Sequence, residues 1–189
     1  MKRIFLIAGL ATAFLLVVVA ASAQKASFAG TWGLDKAKSQ GLSTRMQGAD
    51  KVTLTITQDD KTISLDQKVE TAQPPAGGGG GGTGGGMGGG RGGGGAAGPQ
   101  SYNLDGKEVT SDVTFGQNTG KRTTKATMSA GGLELMSKTS FTGQDGSERV
   151  NTMTQKLSLS GDGKTLTVVT HREGGQQPAP DVTAVYNKQ

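Results

Sequence analysis

The sequence predicts an all-β protein, an antiparallel up-and-down meander of about 8–10 short strands closing into a barrel, with a two-sheet sandwich as the second arrangement. Three observations carry this. Apolar and polar residues alternate in segment after segment, the period of a half-buried strand. Asp-Gly pairs punctuate those segments at Asp105-Gly106, Asp145-Gly146 and Asp162-Gly163, where a tight turn between strands favours them. The 189-residue chain holds 23 threonines, and β-branched side chains suit a pleated surface.

Taken in order, the segment Phe28 to Trp32 stands just before the first strands, and Asp35 to Gln40 is the one place where a helical turn is expected. Val52, Leu54 and Ile56 then alternate with Lys51, Thr53, Thr55 and Thr57. Asp59-Asp60 makes the turn, and Ile63, Leu65 and Val69 carry the return strand. Tyr102 and Leu104 lead into Asp105-Gly106, which reads as the turn of a hairpin onto Val109, Val113 and Phe115. A weaker strand covers Lys121 to Ser129, and Gly131-Gly132 separates it from Leu133, Leu135 and Phe141. After Asp145-Gly146 the apolar parity slips, with Val150 even and Met153, Leu157 and Leu159 odd. A bulge in the middle of that strand is the expected cause. Asp162-Gly163 turns into Leu166 and Val168, and Val182, Ala184 and Tyr186 complete the set.

One segment breaks the pattern. Gly77 to Gly98 holds 17 glycines in 22 residues, between Pro74-Pro75 and Pro99. Such a tract has almost no side chain to bury against its large loss of backbone freedom, so residues 74–99 are expected to be a disordered loop. The 50 residues from Gln24 to Gln73 are too few to build a core without disulfides or metal. One domain over residues 24–189, interrupted by that loop, is therefore expected. Lengthening a loop from about 5 to about 25 residues costs only on the order of 1.5 kcal/mol.

The N-terminus has the form of a signal peptide over residues 1–23. Lys2 and Arg3 precede an uncharged apolar run from Ile4 to Ala20, and Ala21-Ser22-Ala23 supplies the small residues of a cleavage site. Cleavage would remove two positive charges, so the net charge of +5 becomes +3. That value carries no nucleic-acid footprint. A bacterial periplasmic or extracellular location follows, with no stable membrane span once the leader is gone.

Phe28-Ala29-Gly30-Thr31-Trp32 and the meander behind it resemble the opening of the lipocalin-like (calycin) barrels. Gly30 through Ser39, Asp162 through Val168 and the terminal Val185-Tyr186 are similar to lipocalin-like domains of small exported bacterial proteins. The resemblance implies that Gly30 and Trp32 begin the first strand and that the indole plugs the closed end of the barrel. It also implies a late arginine lying across the indole, either Arg149 or Arg172. The family's Thr-Asp-Tyr segment is absent.

The chemistry that the residues exclude is broad. With no cysteine, disulfides, thiolate nucleophiles and Cys-based metal centres are ruled out. A single histidine, His171, cannot supply two imidazoles to a metal. Gly161-Asp162-Gly163-Lys164-Thr165 ends like a phosphate-binding loop, but Ser158 occupies the position of its first glycine, so a hairpin turn is expected. Arg91 among glycines lacks the aromatic partners of an RNA-binding segment. Asp59-Asp60, Asp105, Asp145 and Asp162 fit turns rather than calcium loops. No serine has a G-x-S-x-G setting, and His171, beside Arg172 and Glu173, reads as a surface residue.

The expectation is thus a binding protein without cofactor, catalytic residues or metal, holding a small apolar or amphipathic ligand. Ser111, Ser137 and Thr139 would line a partly polar interior. The alternative is a structural or interaction module of the cell envelope with the glycine-rich loop as tether. No nucleic-acid partner is expected, and the oligomeric state is left open.

Overall fold

The computed structural model describes residues 27–71, 99–115, 118–129, 132–143, 146–174 and 179–189. Residues 1–23, expected to be a signal peptide, and the glycine tract at 77–98 lie outside the described residues. Ten strands and one short helix form the fold: β1 (Gly30–Gln40), α1 (Thr44–Gln47), β2 (Lys51–Gln58), β3 (Thr62–Glu70), β4 (Gln100–Asn103), β5 (Val109–Phe115), β6 (Asn118–Ser129), β7 (Gly132–Thr142), β8 (Glu148–Leu159), β9 (Thr165–Glu173) and β10 (Val182–Lys188). They make one antiparallel sheet in the order β4-β3-β2-β1-β10-β9-β8-β7-β6-β5. The meander is complete and curls into a nearly closed barrel. Its first and last strands pair, Trp32 opposite Lys188 and Leu34 opposite Tyr186.

The seam falls where the sequence promised a hairpin. β4 and β5 are consecutive in the chain but stand at the two edges of the sheet. Asp105-Gly106 does form a turn, with the Lys107 amide donating to Asp105 Oδ1 at 3.0 Å and Gly106 at φ 77°. The strands it joins do not pair. β4 has only four residues, and it packs inward over β6 and β7 instead, where Gln100 Nε2 donates to Ser137 Oγ at 3.0 Å.

Two further expectations are corrected. β8 has no bulge: its register runs unbroken against β7 from Leu157 back to Glu148 and against β9 from Leu159 back to Thr152. Val150 is simply a half-buried outward residue opposite Ser140. The irregularity lies in β1, between Asp35 and Gln40, the segment expected to form a helical turn. There Ser39 Oγ donates to the Asp35 carbonyl at 2.6 Å and accepts from the Val185 amide at 2.9 Å. Bonds reaching three and four residues along the chain do form, but the pairing with β10 holds the segment in the strand as a bulge. The helical turn comes later, at α1, where the Ser43 hydroxyl caps the Met46 amide at 3.4 Å.

The alternation seen in the sequence sets the inward face. Val52, Leu54, Ile56, Ile63, Tyr102, Leu133, Leu135, Leu157, Leu166, Val168, Ala184 and Tyr186 are buried inside, with Phe28 and Trp32 among them. Leu42 is buried beside them, and Met46 of α1 packs on the cluster.

Candidate functional site

The two ends of the barrel differ. At one end Trp32 is fully buried, and its Nε1 donates to the Phe28 carbonyl at 3.0 Å. The Phe28 amide in turn donates to Gln58 Oε1 at 2.8 Å, which anchors the segment leading into β1 across the end of β2. The connections here are short, among them Asp59–Lys61 and Ser160–Lys164. Their aspartates act on backbone: Asp59 Oδ1 accepts from the Lys61 and Thr62 amides at 2.8 and 2.6 Å. Asp162 Oδ1 accepts from the Ser160 hydroxyl and the Lys164 amide at 2.6 and 3.0 Å. These bonds hold both carboxyls below the usual carboxylate range. The Gly161–Thr165 segment is the β8–β9 turn, with Leu159 opposite Leu166.

The cation over the indole is neither Arg149 nor Arg172. It is Lys188, whose Nζ lies 5.4 Å from the ring centroid. Arg149 and Arg172 sit at the opposite end, facing Phe141 and Met153 respectively. Register decides this, because Trp32 pairs with β10 and not with β8 or β9.

The opposite end is more polar. On the β1–β2 side it is covered by Leu42, Met46 and the buried Ala49. The Lys36 ammonium fastens this cover by donating to the carbonyls of Gln47 (3.1 Å) and Ala49. A cleft of about 180 Å³ lined by Lys36, Ser39, Gly41, Leu42 and Gln47 lies beside it.

On the β6–β9 side the inward row turns from leucine to polar groups. Ser137 and Thr170 are buried, and Thr139, Met153 and Gln155 are half-buried. Ser137 faces Thr124 and Met153, and Gln155 faces Leu135 and Thr170. Of the three polar liners expected from the sequence, Ser137 and Thr139 lie inside. Ser111 is exposed, because β5 is the edge strand and β4 closes on β6 rather than on β5.

The residue with the clearest chemical demand is one that the sequence marks only as an apolar member of a strand. Tyr102 on β4 is 1% exposed, and its hydroxyl has no hydrogen-bond partner among the described residues. Burial raises the phenol's pKa far above its ordinary 10.0, and the charge of Arg122 pulls against that rise. The phenol is therefore a neutral donor beside a guanidinium, and Gln100, two residues earlier on β4, makes the bond to Ser137. Parity with Gln100 and Leu104 was the only sequence signal for its inward placement.

His171 lies outside this row, on the outer face of β9. Its Nδ1 is 2.6 Å from Asp181 Oδ1 and its Nε2 3.3 Å from Glu173 Oε1. The two carboxylates, Asp181 first, raise its pKa above the ordinary 6.5. Both ring nitrogens are engaged with carboxylates, on opposite sides of the ring. Among the described residues no three His, Asp or Glu side chains converge as a metal site, and no helix is long and apolar enough to cross a membrane. Compared with protein-family models and with curated proteins, the chain matches none.

Proposed function

We propose that this chain is an exported lipocalin-like binding protein that holds one small amphipathic molecule in the polar half of its barrel. The observation that carries the reading is the Tyr102 hydroxyl, buried without a hydrogen-bond partner among the described residues. A buried unpaired donor costs about 1–3 kcal/mol, and a ligand carrying a hydrogen-bond acceptor removes that cost. Ser137 and Thr170 offer further hydroxyls to a polar group, and Leu135 and Leu157 beneath them offer apolar surface to its tail. Lipocalin-like membership draws support from the barrel, from the plugging Trp32 and from the cation across its indole. Export draws its support from the signal-like residues 1–23.

Native mass spectrometry of the protein from an exporting host, beside a denatured control, tests this reading. A small molecule released on unfolding, and bound less tightly by Y102F, is the expected result. An empty spectrum, together with no binding of a lipid-like fluorescent probe by folded protein, would overturn it. The exposed edge of β5 favours a second reading, an interaction module of the cell envelope. Deleting residues 77–98 separates the two: ligand binding retained with envelope association lost supports the module.

A further inference from the structure

Strand β5 departs from the rest of the barrel. Among the described residues it is paired on one side only, to β6, and it ends the sheet. The barrel closes past it, since β4 packs on β6 and β7. In consequence Val109, Thr110, Ser111, Asp112 and Thr114 are exposed, residues of both faces alike, and Val113 is half-buried. Val109 is the one exposed large apolar side chain among the described residues, at 39%.

Edge strands in soluble proteins are commonly protected by lysine, proline, bulges or shortness. β5 has none of these protections. Its seven residues, Val-Thr-Ser-Asp-Val-Thr-Phe, contain no proline and no lysine, and their pairing with β6 is continuous from Val109 to Phe115. Its single charge is satisfied within the molecule, Asp112 pairing with Lys121 at 3.2 Å, and the preceding Glu108 lies 3.7 Å from Lys125. These exposed ion pairs leave the edge near neutral overall, so repulsion arises only where Asp112 is set directly against another carboxylate.

We propose that β5 pairs antiparallel with β5 of a second copy, through a two-fold axis at Ser111. An isologous contact requires self-complementarity, and the sequence of β5 provides it in one register. With Ser111 opposite Ser111 of the second copy, Val109 meets Val113 and Thr110 meets Asp112, each twice. The exposed Val109 is then covered by an apolar partner. The register centred one residue later sets Asp112 against Asp112, and like charges directly opposite are destabilising. The pairing continues one sheet across two barrels. A strand pair alone buries much less than a standard stable interface, so the association is weak and depends on concentration.

The cysteine-free chain makes this testable at a single position. In the proposed register the two Ser111 Cα atoms are about 4.5–5.5 Å apart, within reach of a disulfide. Under mild oxidation the purified S111C protein should form a covalent dimer, and T55C, exposed on the outer face of β2, should stay monomeric. Sedimentation over a concentration series adds the register. T110D, facing Asp112 of the second copy twice, should weaken association about fivefold, and T110K should strengthen it by a similar factor. Far-UV circular dichroism and thermal melting confirm that the variants fold. Monomeric sedimentation throughout, or S111C cross-linking no faster than T55C, would overturn the proposal. So would equal effects of T110D and T110K, which would place a different occupant or register on the edge.

Discussion

The ammonium of Lys188 lies 5.4 Å from the centroid of the Trp32 ring, and the two residues are register partners across β1 and β10. The last strand thereby covers the plug supplied by the first. Next to it the Gln189 amide donates to the Thr31 carbonyl at 2.9 Å, so the start of β1 and the residue after β10 are tied at the same end of the barrel. Substituting W32A should cost about 3–5 kcal/mol, as for other large buried aromatics. K188A should cost about 0.5–1 kcal/mol, the range of an exposed cation over a ring. Urea unfolding monitored by the single tryptophan reads the second directly; W32A needs circular dichroism.

Tyr102 gives a prediction of opposite sign. Removing a hydroxyl normally loses a bond, but here it removes a buried donor that has no partner among the described residues. Y102F should leave the ligand-free protein as stable or raise its stability by about 1 kcal/mol. Loss of stability on this substitution would mean that the hydroxyl is satisfied. The result is independent of any ligand, so it checks the geometry separately from the function.

The surface trio around His171 sets a pH dependence. Asp181 and Glu173 raise its pKa above 6.5, so the folded state holds the proton more tightly than the unfolded chain. The stabilisation is complete below the unfolded value of about 6.5 and is lost as pH rises through the folded value. The melting temperature of the wild type should therefore fall as pH rises through this window, and both H171Q and D181N should flatten the fall. The carboxyls of Asp59 and Asp162, held below 3.8, act in the opposite direction and only in acid.

Glycines separate into two kinds. Gly132 begins β7 at φ 139°, and a Cβ there would run into the Leu157 carbonyl oxygen. G132A should cost about 1–3 kcal/mol. Gly161 has open space around its missing Cβ and no positive φ. G161A should be neutral or add about 0.4–1 kcal/mol by restricting the unfolded chain. Thermal unfolding of the pair checks the contrast.

The strands were legible because their signal is local. Val52, Leu54 and Ile56 occupy alternate positions whatever they pair with, and Asp162-Gly163 bends the chain with its own side chain and its own positive φ. The same locality explains the failures. Asp105-Gly106 carries the chemistry of a hairpin turn, but a turn does not determine whether four residues of β4 will pair with β5 or pack over β6. Asp35 to Gln40 makes side-chain bonds over three and four residues, and the ladder to β10 holds it in a strand all the same. The odd parity of Met153 and Leu157 said nothing of Val150, which had a half-buried place on the outer face.

By itself the sequence determined an all-β chain, the inward face of most strands, the burial of Trp32 and the positions of the turns. Each of these follows from side chains a few residues apart. Tertiary structure alone decided that Lys188 covers the indole, that Tyr102 is buried beside Arg122, that Ser137 is inside and Ser111 exposed, and that β5 ends the sheet among the described residues. These depend on register between strands up to about 150 residues apart in sequence, as in the bond from the Val185 amide to Ser39. Only the closing of the whole sheet sets that register, because each strand's partner is chosen by the burial that all ten achieve together.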